Sequence, residues 1–113
     1  MVDIKTFREI ALSFPEVIEL PHFEKTSFRI KKKIFATLAV EKQKAMLKLS
    51  LVDQSVFCSF DRAIIYPVPG TWGKKGATYF ELNKLKKAMI KDALGAAYCE
   101  VAPKSLSEKF RTV

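Results

Sequence analysis

Between Ser27 and Leu49 the chain carries three short apolar runs separated by turns of three or four residues, and that spacing leaves few ways to fold. Phe28 and Ile30 alternate with Ser27 and Arg29, the period-two pattern of a half-buried strand. Ile34 to Val40 is apolar on both faces and reads as a central strand. Ala45, Leu47 and Leu49 then alternate with Met46 and Lys48. The connections Lys31-Lys32-Lys33 and Glu41-Lys42-Gln43-Lys44 are too short for the crossover that parallel neighbours require. An antiparallel three-stranded meander follows. The first turn has neither Gly nor Asn, so its geometry cannot be read from residue type.

The flanks supply helices. Ile4, Phe7, Ala11 and Phe14 recur on a helical period, with Asp3 placed as N-cap and Pro15 ending the run near Phe14. Glu16 to Lys25, broken by Pro21, reads as a polar connection. After the meander, Ser50 and Asp53 are spaced almost as a capping box. They open a short helix with Val52, Val56 and Phe60 on one stripe. Ile64–Val68 and Ala77–Leu82 read as strands around a Pro/Gly loop, residues 69–76, that contains Trp72. Asn83 is expected to cap a last helix in which Leu85, Met89, Ala93 and Ala97 stack. Ala102-Pro103 closes the ordered part, and a loose or weakly helical tail is expected to Val113. The expected fold is α+β, a mostly antiparallel sheet with helices on one face, in the order helix, three strands, helix, two strands, helix. At 113 residues the chain suits one domain, residues 1–113, with an ordered core at about 3–106.

Charge is unevenly spread. Residues 1–24 hold two basic and five acidic groups (−3), residues 25–48 eight and one (+7), and residues 49–113 ten and six (+4). The sum, +8, gives a pI near 9.6. A folded domain displays such a segment as a patch that attracts polyanions and releases them as salt rises. No apolar run is long enough to span a bilayer, so no membrane role is expected. Met1 to Arg8 carries charge at Asp3, Lys5 and Arg8 without an apolar core, unlike a secretion signal, so a cytoplasmic location is expected.

Catalytic chemistry has little to work with. The single histidine, His22, has no second His or Cys at a ligand spacing and reads as a packed or half-exposed loop residue. Cys58 and Cys99 lie in apolar surroundings, where a thiol acts as a small hydrophobe. No metal, cofactor or enzymatic activity is expected. Gly73-Lys74-Lys75-Gly76 has the G-x-x-G spacing with which KH domains clamp a backbone, but it joins strands instead of helices. Its glycines expose backbone N–H groups, Lys74 and Lys75 add charge, and Trp72 can stack on a base or plug the sheet edge. Arg29 with Lys31, Lys32 and Lys33 forms a basic hairpin of the kind that contacts phosphates without reading bases, or one that guards a sheet edge. Lys84, Lys87 and Lys91 read as the solvated face of the last helix.

Glu19-Leu20-Pro21-His22-Phe23-Glu24, then Ser27-Phe28-Arg29-Ile30, Lys33-Ile34-Phe35-Ala36, the Pro-Gly-Thr-Trp-Gly loop and Val101-Ala102-Pro103-Lys104 occur in an order that resembles the MmcQ/YjbR family. Phe14-Pro15-Glu16-Val17 is similar to that family's opening motif. The resemblance runs from about Phe7 to Leu106 and implies a compact α+β fold likened to a double-wing DNA-binding domain, with no catalytic residues to carry over. The chain departs from it at Ala77, where relatives often carry Trp or another large residue. The expected function is non-enzymatic DNA binding of low sequence selectivity through Arg29, Lys31, Lys32, Lys33, Trp72, Lys74 and Lys75. The alternative is a protein-interaction module with no nucleic-acid role.

Overall fold

The computed structural model describes residues 2–108. Helix α1 (Ile4–Leu12) starts where the Asp3 carboxylate accepts the Thr6 N–H at 2.7 Å, and it buries Phe7, Ile10 and Ala11. Four strands follow, β1 (Val17–His22), β2 (Lys25–Ile30), β3 (Lys33–Ala39) and β4 (Lys44–Lys48). Helix α2 (Leu51–Cys58) is capped by Ser50, whose hydroxyl accepts the Asp53 N–H. Strand β5 (Ile65–Pro67), the one-turn helix α3 (Thr71–Lys74) and strand β6 (Ala77–Glu81) come next. A 3₁₀ turn at Leu82–Lys84 leads to helix α4 (Lys87–Val101) and the short α5 (Lys104–Ser107).

The six strands form one sheet in the order β1-β2-β3-β4-β6-β5, every neighbouring pair antiparallel. The expected α+β class and the central meander both hold. One strand was not anticipated. Glu16 to Lys25, read as a polar connection, is mostly β1, paired along its whole length with β2. It tolerates Pro21 because it lies at the sheet edge, where a missing N–H donor costs little. Its polar content serves the helix side, where Glu19 accepts hydrogen bonds from Arg8 and Thr26.

Alternation divides the sheet into two faces. Phe28, Ala36, Leu38, Ala45, Leu47 and Phe80 point to the core beneath α1 and α4. A register shift after Phe28 pairs Arg29 with Ile34 and leaves Phe35 without a partner in β2. This bulge turns Phe35 into the core, where its ring meets Phe14 and Tyr98 edge-on. Tyr98 also stacks on Phe14 and donates its hydroxyl to the Pro15 carbonyl at 2.8 Å, tying α4 to the end of α1.

Three local expectations are corrected. The last helix begins at Lys87 with no side-chain cap, and Asn83 lies in the 3₁₀ turn. Backbone bonds from Leu82 to Gln43 and from Val2 to Leu82 hold the end of β6, so the chain turns before a helix can start. The 69–76 loop contains α3. The α2 stripe of Val52, Val56 and Phe60 faces solvent, because α2 packs through Gln54, Phe57 and Cys58 instead. Lys84, Lys87 and Lys91 are exposed, as read. Of the tail, Lys104–Ser107 is helical, and residues 109–113 lie outside the described residues.

Candidate functional site

The second face of the sheet carries the side chains that alternate with the core set. Register places His22 beside Lys25, Ser27 beside Thr37, Thr37 beside Met46, Met46 beside Tyr79 and Lys48 beside Ala77. These residues except the buried Ser27, with Ile34, Val68 and Trp72, line an open cleft of about 420 Å³. Its floor is apolar, built by Ile34, Met46, Val68 and the small Ala77. Its rim is polar and cationic, with Lys25, Lys48 and His22. Ala77 is nearly buried, and its small side chain leaves the floor open beneath Trp72.

Trp72 projects from α3, 63% exposed, while the helix under it is clamped to the sheet. A Cβ on Gly73 would lie 1.8 Å from the Val68 carbonyl oxygen, so only glycine lets α3 approach this closely. Lys75 holds its ammonium 5.7 Å from the Trp72 ring centroid, within cation–π range. Lys75 also faces an adjoining recess with Lys33 and Lys48.

The basic hairpin is less compact than its sequence. Lys31 and Lys32 are the two turn residues, both with positive φ (50° and 71°), which a type I′ turn demands and lysine rarely adopts. The Lys31 ammonium turns back to Glu16 at 3.0 Å. That pair is half exposed and holds the lysine only weakly. Lys32 stays exposed at the tip, and Lys33 points toward the recess shared with Lys48 and Lys75. Arg29 lies within the open face and donates Nε–H to the Ser27 hydroxyl at 2.9 Å. Lys74 is exposed on α3 and borders none of these recesses. The structure therefore brings Lys33 and Lys75 to one recess and Lys75 to Trp72, sets Arg29 on the open face, and leaves Lys31, Lys32 and Lys74 at the margins.

Sequence reading passed over Lys25, Lys48 and Phe23, and it set aside as a loop residue His22, which ends β1. Lys25 and Lys48 are 23 positions apart and meet only through the register of three strands. Phe23 stands at the β1–β2 turn, 95% exposed and with φ of 58°, its ring 4.9 Å from that of His22. Its signal was an aromatic between His22 and Glu24 in a two-residue hairpin, visible only once β1 is known to be a strand.

A second cluster adjoins the cleft. Lys44 sits over the Tyr66 and Tyr79 rings at 5.6 and 4.8 Å and pairs with Glu81 at 3.4 Å, and the Tyr66 hydroxyl donates to Glu81. Hydrogen bonding to Tyr66 raises the Lys44 pKa, while burial raises that of Tyr66. This cation is internally matched and differs in that respect from Lys25 and Lys48. Among the described residues no group of three or more His, Cys, Asp and Glu side chains forms a metal site, and no helix is long and apolar enough to cross a membrane.

No family model matches the chain, and no curated protein matches it by sequence. The fold has a solved counterpart. The crystal structure of protein DR2400 from Deinococcus radiodurans, which carries the domain DUF419, is similar with a TM-score of 0.78. The match covers 96% of this chain and 88% of that one at 16% identity. At that identity the likeness establishes the shared α+β architecture and nothing about ligand or activity.

Proposed function

We propose that the protein binds DNA through the open face of its sheet, without catalysing a reaction and with low sequence selectivity. The observation that carries this reading is that Lys25 on β2 and Lys48 on β4 share the rim of one open cleft, with Lys33 and Lys75 in an adjoining recess that Glu100 and Val101 of α4 also line. Two cations on one cleft rim, with two more in the recess beside it that outnumber its one acid, form a phosphate-attracting field that a solubilising scatter of lysines would not. Arg29 adds to that face, and Lys31, Lys32 and Lys74 extend the field at its margins. The resemblance to the MmcQ/YjbR family supports the same reading, and a cytoplasmic location, expected from the composition of residues 1–8, is part of the proposal.

The test is an anisotropy titration of labelled DNA at several salt concentrations. Affinity should fall by roughly 0.9 log units per log unit of salt for each duplex phosphate neutralised. Reversing Lys25 and Lys48 to Glu should weaken binding to all sequences alike, and reversing Lys31, Lys32 and Lys33 should weaken it further. A flat response at low salt overturns the reading.

One observation favours a second reading, a protein-interaction module. Leu51, Val52 and Val56 on α2, with Phe60 just past its end, are exposed apolar side chains that line neither the cleft nor the adjoining recess. Under that reading, charged residues at Val52 and Val56 abolish partner binding, while reversal of Lys25 and Lys48 leaves it intact.

A further inference from the structure

The open face has a feature that phosphate contact alone does not use. Duplex DNA presents its charged backbone outward, and a surface serving only that backbone needs cations and hydrogen-bond donors. Here the rim cations surround an apolar floor of Ile34, Met46, Val68 and Ala77. Trp72 and Tyr79 line the cleft, and Phe23 adjoins it through its ring contact with His22. Trp72 is 63% exposed on a helix held rigidly against the sheet. Phe23 is 95% exposed on a turn where its positive φ is itself unfavourable. Folding explains neither, since an exposed phenyl ring at φ of 58° contributes no burial and carries backbone strain.

From this geometry we infer that the cleft receives an unpaired nucleobase, with Trp72 and Phe23 as stacking groups at its two ends and Lys25 and Lys48 on the adjacent phosphates, so that the preferred ligand is single-stranded DNA. The inference rests on the nucleic-acid reading above and narrows it. Base stacking on aromatic side chains is tolerant of sequence because every base has a π-face, in keeping with low selectivity. A cleft of about 420 Å³ lies in the size range of small-molecule sites, roughly 300–1,000 Å³, and has room for one nucleotide unit. His22 lies in ring contact with Phe23 and lines the cleft, linking the exposed ring to the floor. Free nucleotides share this chemistry, so the source has to be separated by experiment.

The chain has a single tryptophan, so intrinsic emission reports on the cleft directly. The probes are a fifteen-residue oligothymidylate labelled with fluorescein, a duplex of the same length, and thymidine monophosphate. Each is titrated at several salt concentrations, with labelled strands followed by anisotropy and unlabelled ligands by Trp72 emission. The single strand should bind about tenfold or more tightly than the duplex and quench Trp72, with a salt slope of roughly 0.7 per phosphate neutralised. Trp72→Ala should remove that preference, lowering single-strand affinity to about that of the duplex. Phe23→Gly supplies the residue that suits the positive φ, so it keeps the fold, and it should weaken single-strand binding several-fold with no effect on duplex. Equal or tighter duplex binding without quenching overturns this inference and leaves the nucleic-acid reading standing. Quenching by the mononucleotide as tight as by the strand also overturns it, assigning the cleft to a free nucleotide. Absence of binding by every probe at low salt overturns both.

Discussion

The side-chain amide nitrogen of Gln54, on α2, stands 2.9 Å from the carbonyl oxygen of Gly73, on α3. The same nitrogen lies 3.2 Å from the Ala77 carbonyl and 3.1 Å from the Thr78 hydroxyl, so one buried amide joins α2, α3 and the start of β6. Trp72 precedes the residue this amide holds. Orientation of the exposed indole thus depends on a polar group buried beneath it.

Gln54→Ala should therefore do two things. It removes two N–H donors shared among the Gly73 and Ala77 carbonyls and the Thr78 hydroxyl, and the cost in stability is about 2 kcal/mol, measured by urea denaturation. It also frees α3, so steady-state anisotropy of Trp72 emission should fall under native conditions. A variant that lost stability but kept the anisotropy would show that Gly73 packing alone positions the indole.

The glycines of this segment should rank in a fixed order. A Cβ on Gly73 or Gly76 would lie 1.8 Å from the Val68 oxygen or 1.9 Å from the Leu49 oxygen, both backbone atoms that cannot rotate aside. Gly76 adds a φ of 107°. Alanine at either should cost about 3 kcal/mol or more. Gly70 has open space around it, but its φ of 84° and ψ of −154° lie in a region essentially open to glycine alone, so Gly70→Ala should cost about 2 kcal/mol. Thermal midpoints of the three single variants check the ranking.

Lys31 and Lys32 occupy the two positions of a turn that asparagine and glycine fill with less strain. The double change Lys31→Asn, Lys32→Gly should raise stability by about 1 kcal/mol, seen as a thermal midpoint roughly 4 °C higher. DNA affinity should fall in the same protein, with the salt slope smaller by up to about one unit for each phosphate no longer neutralised. Higher stability with unchanged affinity would take the hairpin tip out of the binding surface.

Legibility followed periodicity. Phe28, Ile30, Ala45 and Leu47 could be placed because one face of their strands is buried and the other is not, and β-pairing preserves that alternation. Strand β1 escaped because at the edge both of its faces mix polar and apolar residues, with Glu19 serving α1 and Ile18 and Leu20 exposed on the open face. The candidate site was legible where its residues are neighbours in sequence, as with Trp72 and Lys75. Lys25 and Lys48 were not, since their meeting is a property of register. The turn at Lys31 and Lys32 hides its type because both residues adopt a conformation their chemistry disfavours.

Tyr98 sets a limit at alkaline pH. Burial, with Glu16 and Cys99 adding to it, raises its pKa above the ordinary tyrosine value, and its hydroxyl proton is the one given to Pro15. The folded state holds that proton more tightly than the unfolded chain does. The contribution is thus complete below the unfolded value near pH 10 and is lost as pH rises from there through the folded value. Tyr98→Phe should cost about 1 kcal/mol at pH 7 and show a shallower decline in denaturation free energy between about pH 9 and pH 11, a range set by the unfolded tyrosine value of about 10. Part of the remaining decline belongs to Tyr66, raised by burial and by its bond to Glu81.

The exposed stripe on α2 gives the sharpest contrast between pattern and packing. Val52, Val56 and Phe60 have helical spacing, yet they are 73%, 62% and 58% exposed, and Gln54 and Cys58 take the inner face. A stripe buried as the spacing suggests would lose about 2 kcal/mol or more for each valine made charged. With the stripe in solvent, Val52→Glu with Val56→Lys places an acid in the first turn and a base four residues on, favourable for both the pair and the helix dipole. Stability should then stay within about 0.5 kcal/mol of the parent, and DNA affinity should not change. Urea denaturation and the same anisotropy titration decide it. A loss of several kcal/mol would mean that α2 packs through its valines, and a selective loss of protein partners would move the functional reading from the sheet face to this helix.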